Sequence, residues 1–279
     1  MRNPAAGLGP AEWLLIGYFV YVALLAPFFP AARVHTVQAW LLAAAVAAAC
    51  VLLSRVRIAR EWAPWLLTLA AYREMDWFTP SVVDHRLDLA FLGWDRWLFG
   101  HGLGPAIESP GTVLPAILEL SYLLVYGAAP VALWALLKCH GRDRIGRWWI
   151  AYLAGTLGVY ALLPFFPSQP PRTAFPGQDF PHVTTWLRQL NLSIVGAYGI
   201  HSGVFPSAHV SSVFASAWGL LATLPKRPVI GRSMAGYGCA VALAVVYGRY
   251  HYAADVLAGF AVSFLGIVAL RAFRDRPVR

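Results

Sequence analysis

Charge is what this 279-residue chain has least of: 13% of its residues are charged, against 59% apolar. A soluble domain carries about 25% charged residues, so with a mean hydropathy of +0.58 a soluble single domain is excluded. Cysteine is nearly absent as well. Cys50, Cys139 and Cys239 fall inside or at the edge of apolar runs, and their spacing offers neither a disulfide framework nor a metal site. There is no internal repeat of fixed period and no low-complexity tract. The first apolar run has no small-residue cleavage site and is followed by another, so it is expected to stay in the mature protein.

Long apolar runs are what the chain does have. Trp13–Phe29, Val34–Leu53, Thr112–Leu137, Trp148–Phe166, Val204–Leu224, Met234–Tyr247 and Tyr252–Leu270 are each long enough, or nearly so, to cross hydrocarbon, which takes about 20 residues. Trp62–Tyr72 is shorter and runs into Arg73-Glu74-Met75-Asp76. It reads either as a helix in the membrane interface or as a short, tilted eighth span. The predicted fold class is all-α, a polytopic membrane bundle of six to eight spans. Residues 1–279 are expected to form one membrane domain: two N-terminal spans over 1–61, then a bundle over 62–270.

Basic residues set the expected orientation. Arg55/Arg57/Arg60, Lys138/Arg142/Arg144/Arg147, Lys226/Arg227/Arg232 and Arg271/Arg274/Arg276/Arg279 all fall between spans on one side, together with Arg2. Cytoplasmic loops carry the excess of Lys and Arg, so these clusters and both termini are expected in the cytoplasm, provided that Trp62–Phe78 crosses. The net charge of +9 is then mostly a topology signal, with some attraction to anionic head groups of the lipid bilayer. A nucleic-acid partner is not expected, because the basic residues are scattered over separate loops.

The same alternation puts the loop 167–203 and the segments around His209 and His251 on the extracytoplasmic side. Pro167, Pro170, Pro171, Pro176 and Pro181 restrict that loop and predict an ordered lid. Phe205-Pro206-Ser207-Ala208-His209 and His251-Tyr252-Ala253-Ala254-Asp255 each sit where an apolar run meets a polar segment, and the two histidines are 42 residues apart. Two crossings use about that length, so both imidazoles return to one surface. Ser207 reads as a helix N-cap, with free N–H groups beyond it that make an anion site. His251 and Asp255, spaced i and i+4, share a helix face, and a carboxylate on one ring nitrogen leaves the other as a directed nucleophile or base. Arg172 and Arg249 supply planar forks for phosphate oxygens. His182 and His201 lie in the lid. His35, His85, His101 and His140 have no partner at a telling spacing. The mixed-charge segment Asp84–Trp97 predicts an amphipathic interfacial helix.

These motifs, with Tyr247-Gly248-Arg249-Tyr250 before His251 and Val256-Leu257-Ala258-Gly259 after Asp255, resemble the second and third motifs of the type-2 phosphatidic acid phosphatases. Pro170-Pro171-Arg172 is similar to the remnant of that family's first motif. Gly93-Trp94-Asp95-Arg96-Trp97-Leu98-Phe99-Gly100 and Leu120–Gly127 resemble the branch of inositol phosphorylceramide synthases and their bacterial relatives. The resemblance implies a helical membrane enzyme of a bacterial-type inner membrane that handles a membrane lipid phosphate. His251 would be the nucleophile on phosphorus, Asp255 its orienter and His209 the acid and base, while Ser207 and Arg172 hold phosphate oxygens. It implies no cofactor and no metal.

The chain departs from that family in its cations. No lysine occurs between Lys138 and Lys226, where the first motif normally carries one, and Val245 stands where an arginine is expected. Arg249 is the expected substitute, and the shortage favours a phosphotransferase over a plain phosphatase. The alternatives are a noncatalytic relative with a transport or assembly role and a vanadate-dependent haloperoxidase. The many spans and few cations speak against the latter.

Overall fold

In a computed structural model that describes residues 7–98 and 102–273, the chain is all-helical, with no strand among the described residues. Phe99, Gly100, His101, Arg2, Arg274, Arg276 and Arg279 lie outside the described residues. The helices are α1 (Pro10–Leu25), α2 (Thr36–Leu53), α3 (Arg57–Glu74), α4 (Arg86–Leu98), α5 (Gly104–Glu108), α6 (Val113–Leu123), α7 (Ala128–Lys138), α8 (Ile145–Leu162), α9 (Pro171–Ala174), α10 (Trp186–Tyr198), α11 (Ala208–Thr223), α12 (Pro228–Tyr247), α13 (Ala253–Ser263) and α14 (Leu265–Ala272). A short 3₁₀ turn joins α6 to α7, so Val113–Lys138 forms one continuous rod.

Six rods among the described residues are long and apolar enough to cross a membrane: Pro10–Phe28, Arg33–Leu53, Val113–Lys138, Arg142–Phe165, Pro228–Tyr247 and Ala253–Ala272. The protein is therefore read as an integral membrane protein. Two further helices run from one end of the bundle to the other without meeting both criteria. α11 has 16 residues and is enclosed by α8, α12 and α13. α3 is charged near its start, where Glu61 receives Arg142 at 2.7 and 2.9 Å. At its far end, Tyr72 accepts the Ile200 N–H at 3.1 Å. Its 18 residues cover about 27 Å at 1.5 Å per residue, so α3 is as long as its neighbours. Charge at the rim, not shortness, keeps it from looking like a span.

α8 forms the centre, with Trp148, Trp149, Leu153 and Val159 each at most 1% exposed. Close packing against α11 uses small residues, as membrane helices do where apolar burial alone gives little drive. Gly155 lets α11 approach until an added Cβ would lie 2.5 Å from the Ala215 Cβ, and Ser211 donates to the Gly155 carbonyl at 2.9 Å. Trp148 Nε1 donates to the Ser216 carbonyl at 3.2 Å. Outside this centre, Val37, Leu41 and Leu52 of α2 are more than 60% exposed, a face suited to hydrocarbon.

One end of the bundle gathers acids onto the basic residues: Arg60 meets Glu12 at 2.6 Å, and Arg57 meets both Glu61 and Asp143. The opposite end holds the motif segments and the lid. There the chain from 167 to 203 is ordered by two helices, α9 and α10, and its base is stitched by Gly203 N–H to Ser168 O at 2.8 Å and Phe205 N–H to Ser168 Oγ at 3.2 Å.

Gly155→Leu should lower stability by about 1–3 kcal/mol, the usual effect of overpacking a filled core. Thermal unfolding in detergent measures it, and an unchanged melting temperature would contradict the described α8–α11 contact.

Candidate functional site

Two helix starts build the site. At α11, Ser207 is the N-cap and its Oγ accepts the Val210 N–H at 3.4 Å, which places His209 in the first turn. At α13, Asp255 occupies the third helical position, and its Oδ2 accepts the Tyr252 N–H at 2.9 Å. The two starts are joined directly, because Ser207 N–H donates to the Asp255 carbonyl at 2.9 Å. Gly259 makes the crossing possible, since a Cβ there would collide with the Ser207 carbonyl oxygen.

The turn between α12 and α13 presents His251. His251 N–H and Tyr250 N–H both donate to the Val245 carbonyl, at 3.0 and 2.9 Å. Arg249 takes the left-handed conformation, with φ of 58°, which is uncommon for a residue with a Cβ. His251 Nδ1 lies 3.1 Å from Asp255 Oδ2, and Nε2 lies 3.3 Å from His209 Nδ1. A carboxylate partner assigns the proton to Nδ1, so Nε2 carries the lone pair. Burial, then the positive charge of Arg172, lowers the His251 pKa to about 3. The ring is therefore neutral and nucleophilic at neutral pH.

Arg172 stands over this pair. Its guanidinium lies 5.3 Å above the Tyr250 ring, a cation–π distance, and Tyr250 stacks on Tyr122 at 3.8 Å and 4°. Tyr122 and Tyr126 flank His209 at 5.2 and 5.7 Å. Arg172 has no carboxylate partner among the described residues. Arg249 is disposed differently from the expectation that both guanidiniums face the histidines. Its fork is tied to the lid: to the Gln178 carbonyl, to Asp179 at 3.1 Å and to the Pro171 carbonyl at 3.0 Å. Both arginines border a cavity of about 720 Å³ within the lid, between its 169–182 segment and α10, shared with Gln169, Arg188, His182 and His201. The two histidines of the pair are not among its lining residues.

Sequence reasoning missed three sets of residues here. Glu119, 2% exposed, receives Arg188 at 2.9 Å, Asn191 at 2.7 Å and the Tyr250 hydroxyl at 2.7 Å. It thereby fixes Tyr250 beneath Arg172. The signal was available: Glu119 is the one acid inside the apolar rod Val113–Lys138, and an ionisable residue at such depth marks function or structure at a premium. The second set lies on α4. That helix is amphipathic as expected, with Leu89, Trp94 and Trp97 exposed, but Asp88 and Asp95 point inward. Asp88 accepts the Gln169 N–H at 3.2 Å, and Asp95 accepts the Ala253 N–H at 2.9 Å. Burial raises both carboxyl pKa values, and the charge of Asp255 adds to the rise at Asp95, which reaches about 7.

The third set is histidine–acid pairs. His85 pairs with Asp88 at 2.8 Å, His201 with Asp76 at 3.0 Å and His182 with Glu108 at 3.3 Å. His85 thus has a partner three residues away, contrary to its reading as partnerless. The other two pairs tie the lid to the turn after α3 and to α5. Burial disfavours charge on Asp76, but bonds from His201 outweigh it and its pKa falls. Glu108 behaves likewise under bonds from His182, Val183 and Tyr247.

The depressed pKa of His251 links stability to pH. An unfolded histidine titrates near 6.5, so between about 6.5 and 3 the unfolded chain holds a proton that the folded site refuses, and acid favours unfolding. The melting temperature in detergent should fall as pH drops from 7 to 5, and His251→Gln should reduce that fall. Equal slopes in both proteins would refute the assignment.

Comparison with known proteins finds one match. The PAP2 superfamily pattern matches residues 89–269, the stretch from α4 into α14 that contains all three motif segments. No curated protein and no solved structure matches the chain. With most of the chain covered, and a histidine pair, an orienting carboxylate and an arginine gathered at one end of a helical bundle, the protein belongs to the PAP2 superfamily.

Proposed function

We propose that the protein is a membrane lipid-phosphate phosphatase or head-group phosphotransferase that works through a phosphohistidine at the extracytoplasmic face. The observation that carries this reading is the line Asp255–His251–His209, with contacts of 3.1 and 3.3 Å, at the mouth of α11 beside Arg172. Superfamily membership suggests the same reaction class.

His209 takes up a proton with the anionic substrate, whose phosphate stabilises the imidazolium; His251 Nε2 then attacks phosphorus and displaces the lipid alcohol, which takes that proton from His209. His209, now neutral, removes a proton from water or an acceptor hydroxyl. That oxygen attacks the phosphohistidine and restores His251. Asp255 holds the ring and stabilises the imidazolium character that develops on bond formation. Arg172 and the N–H groups beyond Ser207 hold the phosphoryl oxygens and offset the charge that builds on them. The rings stand 3.3 Å apart, so a phosphoryl group held between them would have to part them. Ser207 Oγ already caps α11, so its contribution is to fix those N–H groups; Arg249 holds the lid that presents Arg172.

The scarcity of free cations favours transfer. A phosphomonoester carries close to two negative charges at neutral pH, a phosphodiester one. With Arg188 and Arg249 committed to acids, the guanidinium of Arg172, which has no carboxylate partner among the described residues, matches a diester, which agrees with the resemblance of Gly93–Gly100 and Leu120–Gly127 to the inositol phosphorylceramide synthase branch. Residues 62–270 carry the reaction, with α1 and α2 as added spans. The basic rim lies at the end opposite the histidines, which supports cytoplasmic termini and an extracytoplasmic site.

Purified protein, screened against lipid phosphomonoesters and phosphodiesters with and without acceptor alcohols, should release or transfer phosphate. His251→Ala and His209→Ala should each lower turnover by about 100-fold or more, and Asp255→Asn should lower it severely. Near-normal turnover in either histidine variant would overturn the mechanism. Separately, Arg172→Lys should impair the enzyme although charge is kept, since lysine lacks the planar fork; an unaltered rate would remove Arg172 from the site.

A further inference from the structure

α4 touches all three motif segments at once. Asp88, fully buried, holds the Gln169 N–H three residues before Arg172. Phe91 stacks on Phe205 at 5.2 Å and lies 5.7 Å from Tyr252. Asp95, 8% exposed, holds the Ala253 N–H two residues after His251. A helix that merely covered the site could do so with apolar side chains. α4 instead buries two carboxylates, each at a cost in desolvation, and sets each on a backbone N–H beside a proposed catalytic group, Asp88 holding His85 as well.

The contact at Ala253 has a particular effect. Ala253 is the first residue of α13, so its N–H is one of the four that a helix start leaves without an internal partner. The only other carboxylate in that turn is Asp255, whose Oδ2 already serves both Tyr252 N–H and His251 Nδ1 and whose buried Oδ1 has no partner. If Ala253 N–H were left unsatisfied, Asp255 would be drawn to it by rotation about its side chain, and its hold on His251 would loosen. Asp95 removes that competition.

We propose that Asp95 is a positioning residue, which satisfies Ala253 N–H from α4 and so leaves Asp255 free to orient His251. This rests on His251 as the nucleophile, and the geometric part can be tested apart from turnover. The raised pKa of Asp95 fits a carboxylate kept close to Asp255 for this purpose, and the requirement is for an acceptor oxygen, not for charge.

Full-length protein in detergent is compared with Asp95→Leu, which keeps the branched shape but has no acceptor, with Asp95→Ala and with Asp95→Asn, which keeps the oxygen. The Nδ1–H proton resonance of His251, identified by its loss in His251→Ala, should shift upfield or vanish in the Leu and Ala variants and persist in the Asn variant. In parallel kcat should fall about 10- to 100-fold, the scale of a reacting group displaced by about 1 Å, with KM held, and the Asn variant should recover to within about threefold of wild type. An unchanged resonance in folded Asp95→Leu or Asp95→Ala overturns the proposal, as does a kcat loss equal in the Asn and Leu variants. If wild type turns over no lipid phosphate, the phosphohistidine reading fails, while the resonance still decides the role of Asp95. If neither the Leu nor the Ala variant folds but Asp95→Asn does and keeps the resonance, the need for an acceptor stands.

Discussion

The bond from Ser207 N–H to the Asp255 carbonyl holds the site together. It is a backbone contact between two helix starts separated by nearly fifty residues of chain, and it exists only because Gly259 lets α13 lie against the backbone of Ser207. Once it forms, the first turns of α11 and α13 are fixed relative to each other, and the side chains they carry must meet. His209 is brought to His251 by main-chain geometry, so neither ring has to search for the other. The tight packing of α8 on α11 at Gly155 then carries that geometry into the centre of the bundle.

Around this junction most buried charges are answered by a partner, as the cost of burying an unpaired charge demands. Glu119 answers Arg188, Asn191 and Tyr250; Asp179 answers Arg249 and Arg96. The lid is therefore a stitched element. It is fastened to α6 through Arg188, to α4 through Asp179, to α5 through His182 and to the turn after α3 through His201. Each fastening joins residues far apart in sequence.

Much of this was legible in the sequence, for reasons that can be named. The N-cap at Ser207 and the i, i+4 pair at His251 and Asp255 are local rules of helix geometry, and the 42-residue spacing is a matter of rod length. The apolar runs declared the fold class for the same reason. What could not be read were contacts whose partners are fixed only by tertiary packing. Asp88 and Asp95 looked like the wet face of an interfacial helix, because composition cannot say which face of α4 meets the bundle. Arg249 lies two residues from His251 in the chain, yet the left-handed turn at that residue sends its fork to the lid. α3 was ambiguous because its charged first turns dilute the average hydropathy of a helix that is otherwise of full length. Glu119 alone gave a readable sign, as a solitary acid in an apolar rod.

The pairing of cations at the site end has an effect beyond local structure. Arg73, Arg86, Arg96, Arg188 and Arg249 each sit on a carboxylate, so this end of the molecule projects little net field despite its many guanidiniums. The basic rim at the other end keeps most of its charge. The charge is thus unevenly divided between the two ends of the bundle, with the quiet pole at the histidines. An anion dissolved in bulk water is scarcely steered toward that pole. A ligand confined to the bilayer needs no such steering, because it reaches the site by lateral diffusion, and its rate of encounter depends on its density in the leaflet rather than on ionic strength.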